Sequence, residues 1–548
     1  MATISKTDLE NAKLDVDDLA SFVSDEAGTV TPRIGDPYPN ARQLVENFNE
    51  VLAEQVVQEE IATAQAAIAV AAAADAEAVA GALGDEIPGD PSRGYAFEDK
   101  TDYFRFTPDT LEHPVTDDLA ARVYALEIAT KRETKWNSLK SSGSIIAFVY
   151  AGQSRSRGQQ STYGKSDRVF SGTSMPATLG VMFNGGIRPD DLTTNMATAM
   201  ASFTAMIETY VAASADPTAA YGYQNGETGL AGAIEMIAQL LRDENGIDLA
   251  TYAQRYLGYS VGRGGTAIND LIPTNDTYGR HALLKTGITN ARTIATSSKK
   301  IVQMGAIFFA QGEADYAVTP ATWATKARAI RTDAETHAQT QFGDTRPMPM
   351  IIEQISSHPS CPLPASGFAL AVAQAAMAFS DDYINCLPSH MIQRNPGGDV
   401  HDMGQSSYEK GAFFGWLWKR WCFDGVKILP FVPTVQVQGK IVVFSWPDIG
   451  NRKLALDTTY VPLQTNYGLT IENGAGTAQT INNVWIDGQN FYAELASTPA
   501  AGWKYQFGKQ SSTGYLGLCN ITDDTPIILK KTQRPIRRYV PNWEGVLL

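Results

Sequence analysis

The segment Ile145-Ile-Ala-Phe-Val-Tyr-Ala-Gly-Gln-Ser154 opens with an unbroken apolar run rich in β-branched and aromatic types. Such a run predicts a strand buried on both faces. It leads into Gly152-Gln153-Ser154, where a glycine permits a sharp turn and one hydroxyl is left at the strand's carboxyl end. Open α/β sheets bind their ligands there. Three later segments repeat the layout, an apolar run or loop closing on a polar cluster. They are Arg255-Tyr-Leu-Gly-Tyr-Ser-Val-Gly-Arg-Gly-Gly-Thr266, Gly305-Ala-Ile-Phe-Phe-Ala-Gln-Gly-Glu-Ala-Asp315 and Gly398-Asp-Val-His401.

Helical patterns at 192–213, 229–244, 278–300, 321–341, 365–380 and 406–418 separate further strand patterns at 305–310 and 348–355. Strands alternating with helices predict a parallel sheet covered on both faces. This domain is placed at 95–426 and includes a charged helix candidate at 117–138. From 427 to 548 the pattern changes to short alternating segments such as Thr434-Val-Gln-Val-Gln, parted by Gly, Asn and Asp turns. That predicts an all-β module of sandwich type. Its aromatics Tyr460, Trp485, Tyr492 and Trp503 belong either to its core or to a platform for a sugar ring.

Residues 1–40 are polar and acidic, with proline and glycine punctuation, and read as an attachment segment or a disordered tail. Residues 41–94 comprise a helix and a linker. Val57, Ile61, Ala64, Ile68 and Ala71 alternate steps of four and three, a heptad seam. A stalk of this kind implies an oligomer, and a homotrimer is expected; a single surface helix is the other outcome. Pro88 and Pro91 in a Gly/Asp-rich stretch close the helix.

The chain has 548 residues with 44 basic and 59 acidic side chains, a formal charge of -15. A nucleic-acid binder needs basic surface against phosphates, so that class is disfavoured, as is docking on an anionic membrane. The opening Met1-Ala-Thr-Ile-Ser-Lys-Thr-Asp-Leu is polar, so no secretory leader is expected. The alanine-dominated run at 61–74 is too short and too interrupted for a membrane span. Cys361, Cys386, Cys422 and Cys519 lie far apart without a CxxC pair. Neither a zinc site nor a disulfide framework is indicated, and buried free thiols are expected.

A serine becomes a nucleophile only beside a base, and that base needs an orienting acid. Ser154 supplies the hydroxyl, His401 is the histidine placed in a loop before a helix, and Asp399 stands two residues ahead of it. Acyl transfer also needs donors for an oxyanion. Gly264-Gly265 offers a backbone N–H that no side chain blocks, and Gln311 offers a carboxamide. Singly, each of these has an ordinary explanation, a tight turn or a strand-end polar residue. Together and in this order they indicate a site.

In this order the motifs resemble those of the SGNH hydrolases, in the branch of sialate O-acetylesterases and acetylxylan esterases, over roughly residues 141–423. Gly152-Gln153-Ser154 is similar to the branch's nucleophile block, Gly264-Gly265-Thr266 to its second block, and Gln311-Gly312-Glu313-Ala314-Asp315 to its Gln-Gly-Glu-x-Asp block. Asp399-Val400-His401 is similar to the last block. Two departures stand out: Arg155-Ser156 where many members have Asn-Met, and Asp-x-His where the wider superfamily has Asp-x-x-His.

The resemblance implies a flavodoxin-like parallel sheet flanked by helices and a metal-free, cofactor-free serine esterase. The implied catalytic residues are Ser154, His401 and Asp399. Ser154 N–H, Gly265 N–H and Gln311 are the implied oxyanion donors. Gln153, Arg155, Arg263 and Glu313 are expected at the substrate, with Glu313 and Asp315 also supporting their loop. The N-terminal stretch resembles the start of bacteriophage tail fibres and tailspikes. It implies a virion location, docking on a tail or baseplate protein, and an O-acetylated host surface polysaccharide as substrate. A non-catalytic tail-fibre adhesin that binds the same glycan is the alternative.

Overall fold

The computed structural model describes residues 144–159, 174–190, 195–208, 225–249, 254–343, 345–355, 365–388, 401–402, 404–449, 452–509, 518–524 and 527–547. The expected attachment segment, stalk, linker and 117–138 helix lie outside these residues, as does Asp399.

The opening apolar run forms β1 (Ser144–Gly152), buried along its whole length. It is the centre of a seven-stranded sheet with β2 (Gly180–Phe183), β3 (Phe203–Ala205), β4 (Arg255–Ser260), β5 (Ile301–Ala310), β6 (Met350–Glu353) and β7 (Ile384–Leu387). The order across the sheet is β3-β2-β4-β1-β5-β6-β7. All neighbours pair in parallel except β2 with β3. The chain leaves β1 for β2 on one side and later crosses from β4 over β1 to β5 on the other, so the carboxyl ends of β4, β1 and β5 frame the crevice where such sheets bind ligands.

Strand alternation sorts the core into two layers. Ile146, Phe148 and Tyr150 face one side, with α1 (Leu230–Asn245) and, after the helices named next, α5 (Gly404–Trp418). Ile145, Ala147, Val149 and Ala151 face the other, with α2 (Arg280–Ser297), α3 (Pro320–Phe342) and α4 (Ala365–Ser380). Phe148 stacks on Phe308 at 5.2 Å and meets Trp418 edge-on at 5.1 Å. Burying one such side chain stabilises the fold by about 1.5–3 kcal/mol. Helices α1 and α5 touch backbone to backbone: a Cβ on Gly411 or Gly415 would meet Gly229 O or Ala233 O well inside contact distance. That close crossing fixes the start of α5, from which the 401–402 loop departs.

The helix expected at 192–213 is overturned in its described part. A single turn, Met196–Ala199, is followed by β3. Asn184 Oδ1 accepts from the N–H groups of Ala201 and Ser202 at 2.9 and 3.0 Å, taking two donors a helix would have used. Phe203, Thr204 and Ala205 then pair with β2 as an antiparallel edge. Strands β2 and β7 had no expectation in the sequence.

Beyond Phe423 the chain forms antiparallel sheets, of which the largest has four strands. Its inner face shares one apolar core with a three-stranded sheet, around Phe444, Phe491 and Phe507. The last segment returns to the α/β layer. Leu529, Ile536 and Tyr539 join the core beneath α5, and Arg534, fully buried, pairs with Glu409. Asn542 N donates to Gln354 Oε1 at 3.0 Å, just past the end of β6. Beyond the expected boundary at 426, then, one core is the C-terminal segment's own and a second is shared with the α/β layer. Cys386, Cys422 and Cys519 are buried free thiols.

Candidate active site

Residue Gly152 ends β1 at φ +123°, and a Cβ there would stand 2.0 Å from Ala310 O. Only glycine lets the strand end so close to β5. Gln153 N donates to Ala310 O at 2.9 Å, and the chain then closes a tight turn. Arg157 N and Gln159 N both donate to Ser154 O, at 3.1 and 3.0 Å. Ser154 is thus held by its own backbone at the switch point, 7% exposed. Among the described residues its N–H donates no hydrogen bond, and its Oγ makes none, to His401 or otherwise.

The segment after β4 continues the ladder: Val261 N donates to Tyr150 O and Arg263 N to Gly152 O, at 3.0 and 3.1 Å. This lays Gly262-Arg263-Gly264-Gly265 against the serine turn. A Cβ on Gly264 would reach within 2.3 Å of Gln159 Oε1. Gly265 is exposed at φ +66°, with open space at its Cβ position, and its N–H donates no hydrogen bond among the described residues. Arg263 is half-buried and its guanidinium lies 4.1 Å from the ring centroid of the exposed Tyr278.

His401 is buried, 6% exposed, directly ahead of α5. The residue after it, Asp402, meets a group of charges. Arg155, the residue after Ser154, contacts Asp402 through Nη2–Oδ1 at 3.2 Å and Nε–Oδ2 at 3.4 Å. Arg155 also pairs with Glu313 at 2.9 Å and with Glu353. Lys410 of α5 reaches Asp402 Oδ2 at 2.7 Å and Glu353 Oε2 at 3.2 Å. Tyr150 Oη donates to Glu353 Oε2 at 2.8 Å. Burial alone pulls the Arg155 pKa down, but Asp402, Glu353 and Glu313 more than reverse this, so it stays charged. Burial, then Glu353, push the Tyr150 hydroxyl well up, so it remains a donor.

Three expectations are corrected here. Arg155 does not reach out to a substrate: it is 4% exposed and committed to three carboxylates. Gln311 does not present its amide to the serine. It is fully buried, with Nε2 donating to Thr266 O at 3.0 Å and to Asp315 Oδ2 at 2.6 Å, so both amide hydrogens are taken. Asp315 also accepts from Ile268 N at 3.0 Å, which makes Gln311 and Asp315 a strut between the loops after β4 and β5. Burial raises the Asp315 pKa, against these donors. Gln153 likewise turns inward, onto Glu313.

No protein-family model and no curated protein matches this chain. Among the solved structures that align with it are a carbohydrate acetylesterase and NanS. The carbohydrate acetylesterase, from Xanthomonas citri, shares 14% identity over 73% of this chain and 80% of its own, with a TM-score of 0.43. NanS shares 13% identity over 51% of this chain and 98% of its own, with a TM-score of 0.30. Scores below 0.5 say nothing of the chemistry.

The members that sequence reasoning missed are Tyr150, Glu353, Asp402 and Lys410. Two of them left a trace: Glu353 ends the apolar run Met350-Ile-Ile, and Lys410 stands just before the apolar stretch Ala412-Phe-Phe. A charge on a core-facing element must have a partner. Among the described residues, no cluster of His, Cys, Asp and Glu has the form of a metal site.

Proposed function

We propose that the chain is a serine-dependent carboxylic ester hydrolase of SGNH type that removes acetyl groups from sugar hydroxyls. The observation that carries this is the pairing of Arg155 with Asp402, which brings the immediate neighbours of Ser154 and His401 into contact across 247 residues of sequence. Ser154 Oγ attacks the ester carbonyl while His401 takes its proton. The carbonyl electrons move onto oxygen, where the N–H groups of Ser154 and Gly265 are assigned to receive them. As the tetrahedral adduct collapses, the sugar oxygen leaves with the proton from His401. Water then attacks the acyl-serine with His401 again as base, releasing acetate. Asp399 is assigned to orient His401, and Gln311 is reassigned as a strut. Arg263, stacked on Tyr278 at the rim, is the residue assigned to the sugar.

The test is acetate release from O-acetylated bacterial polysaccharide and from p-nitrophenyl acetate, comparing the wild type with Ser154→Ala. Release by the wild type and none by the variant supports the proposal. Glycan binding by both without release turns it into the adhesin reading. On the N-terminal resemblance alone, we further propose a homotrimer carried on a phage tail and docked on a tail or baseplate protein. Its substrate there is a host surface polysaccharide.

A further inference from the structure

We propose that Asp402 is a positioning residue, setting where His401 stands relative to Ser154 by docking on Arg155 and Lys410. The inference rests on the reading of Ser154 and His401 as nucleophile and base.

The two halves of the pair are held differently. The serine turn has its own backbone hydrogen bonds and a ladder bond to β5. The histidine enters from a loop, and its neighbour Asp402 is 2% exposed with both oxygens engaged: Oδ1 by Arg155, Oδ2 by Arg155 and Lys410. Consecutive Cα atoms are about 3.8 Å apart. Pinning the side chain of 402 on one side and of 155 on the other therefore limits how far 401 and 154 can drift apart.

The surroundings suit a rigid clamp. Two cations, Arg155 and Lys410, stand among three carboxylates, Glu313, Glu353 and Asp402, and four of these five side chains are at most 3% exposed. They come from the loops after β1, β5 and β7, from the end of β6 and from α5, so every element bordering the crevice on that side contributes one. Buried charges of this kind hold only in one geometry, since each lost contact leaves a desolvated partner. Arg155 stands where many members of the resembled family have asparagine.

The experiment measures kcat and KM for p-nitrophenyl acetate, with active sites counted by the p-nitrophenol burst, in the wild type, Asp402→Asn, Arg155→Lys and Ser154→Ala. Counting sites removes unfolded protein from the result. The expected outcome is a loss of kcat per site of about 100-fold in Asp402→Asn and about tenfold in Arg155→Lys, with KM within about threefold. Wild-type kcat per site in either variant overturns the clamp, even if fewer molecules fold. If Asp402→Asn yields no folded protein, Arg155→Lys decides by the same readout. An inert wild type, or an active Ser154→Ala, instead overturns the reading on which the clamp rests.

Discussion

Gly262 packs against the turn that carries Ser154, which makes it a lever on the nucleophile that touches neither substrate nor base. A Cβ there would stand 2.0 Å from Ser156 Oγ, 2.8 Å from Gln153 O and 3.2 Å from Arg157 N. Rotating Ser156 relieves the first contact and gives up its 2.7 Å hydrogen bond to Gln153 O. The second contact is with backbone and cannot rotate away. Restoring 2.8 Å to the 3.4 Å of ordinary contact displaces the turn or the loop by about 0.6 Å, the difference of the two. Gly262 is not in the left-handed region, so alanine adds no backbone strain of its own. A misplacement of 1 Å costs about 10²-fold in rate, so Gly262→Ala should lose roughly 10- to 30-fold in kcat. Overpacking should lower stability by about 1–3 kcal/mol. The assay is hydrolysis of p-nitrophenyl acetate per titrated site, beside urea unfolding. A stably folded Gly262→Ala with kcat within about twofold of the wild type would mean that the 262–265 loop does not set the position of Ser154.

Ser154→Ala should lose on the order of 10⁶ in kcat for acetate release while leaving urea stability unchanged, and any smaller loss points to another nucleophile. Asp190 is partly buried between Arg157, at 3.1 Å, and Arg280. Burial alone would raise its pKa, but the two guanidiniums hold it below the ordinary 3.9 or so. The unfolded chain therefore takes up the proton first as pH falls. The stabilisation is whole above about pH 4 and fades as pH drops through the lower folded value. Asp190→Asn should cost about 2 kcal/mol at pH 7 and flatten the stability profile below pH 4, read by urea unfolding. Arg534 and Glu409 are paired at 0% and 1% side-chain exposure. Arg534→Met alone should cost about 3–5 kcal/mol, and Arg534→Met with Glu409→Gln should recover much of it. A double variant no better than the single would show that the contact between the C-terminal segment and α5 is apolar in origin.

The sheet was legible because burial on both faces writes itself into a strand as an unbroken apolar run. β1, β4, β5 and β6 all carry such runs, and α4 was bounded at 365–380 in the sequence and in the structure alike. The edge was not legible. Met196 to Met206 has apolar residues at helical spacing, and period alone cannot report that Asn184, a dozen residues earlier, takes the N–H groups of Ala201 and Ser202. Strands β2 and β7 have four residues each, too few for alternation to register.

The site divides the same way. The proposed site residues and the strut beside them sit in loops of odd composition, so Gly152-Gln153-Ser154 and Gln311 to Asp315 stand out from their surroundings. What those residues touch is another matter. Gln311 in isolation is a free carboxamide, but it follows a buried strand and stands four residues before Asp315, and a buried carboxylate so near takes the amide for itself at 2.6 Å. Arg155 beside a nucleophile invites assignment to an anionic substrate, until its three carboxylates arrive from positions 313, 353 and 402. A guanidinium already facing three carboxylates with 4% of its residue's surface exposed has no capacity left for a uronate. On the proposed function, specificity for charge on the sugar must then come from the rim. There Arg263 is half-buried and lies over the ring of the exposed Tyr278.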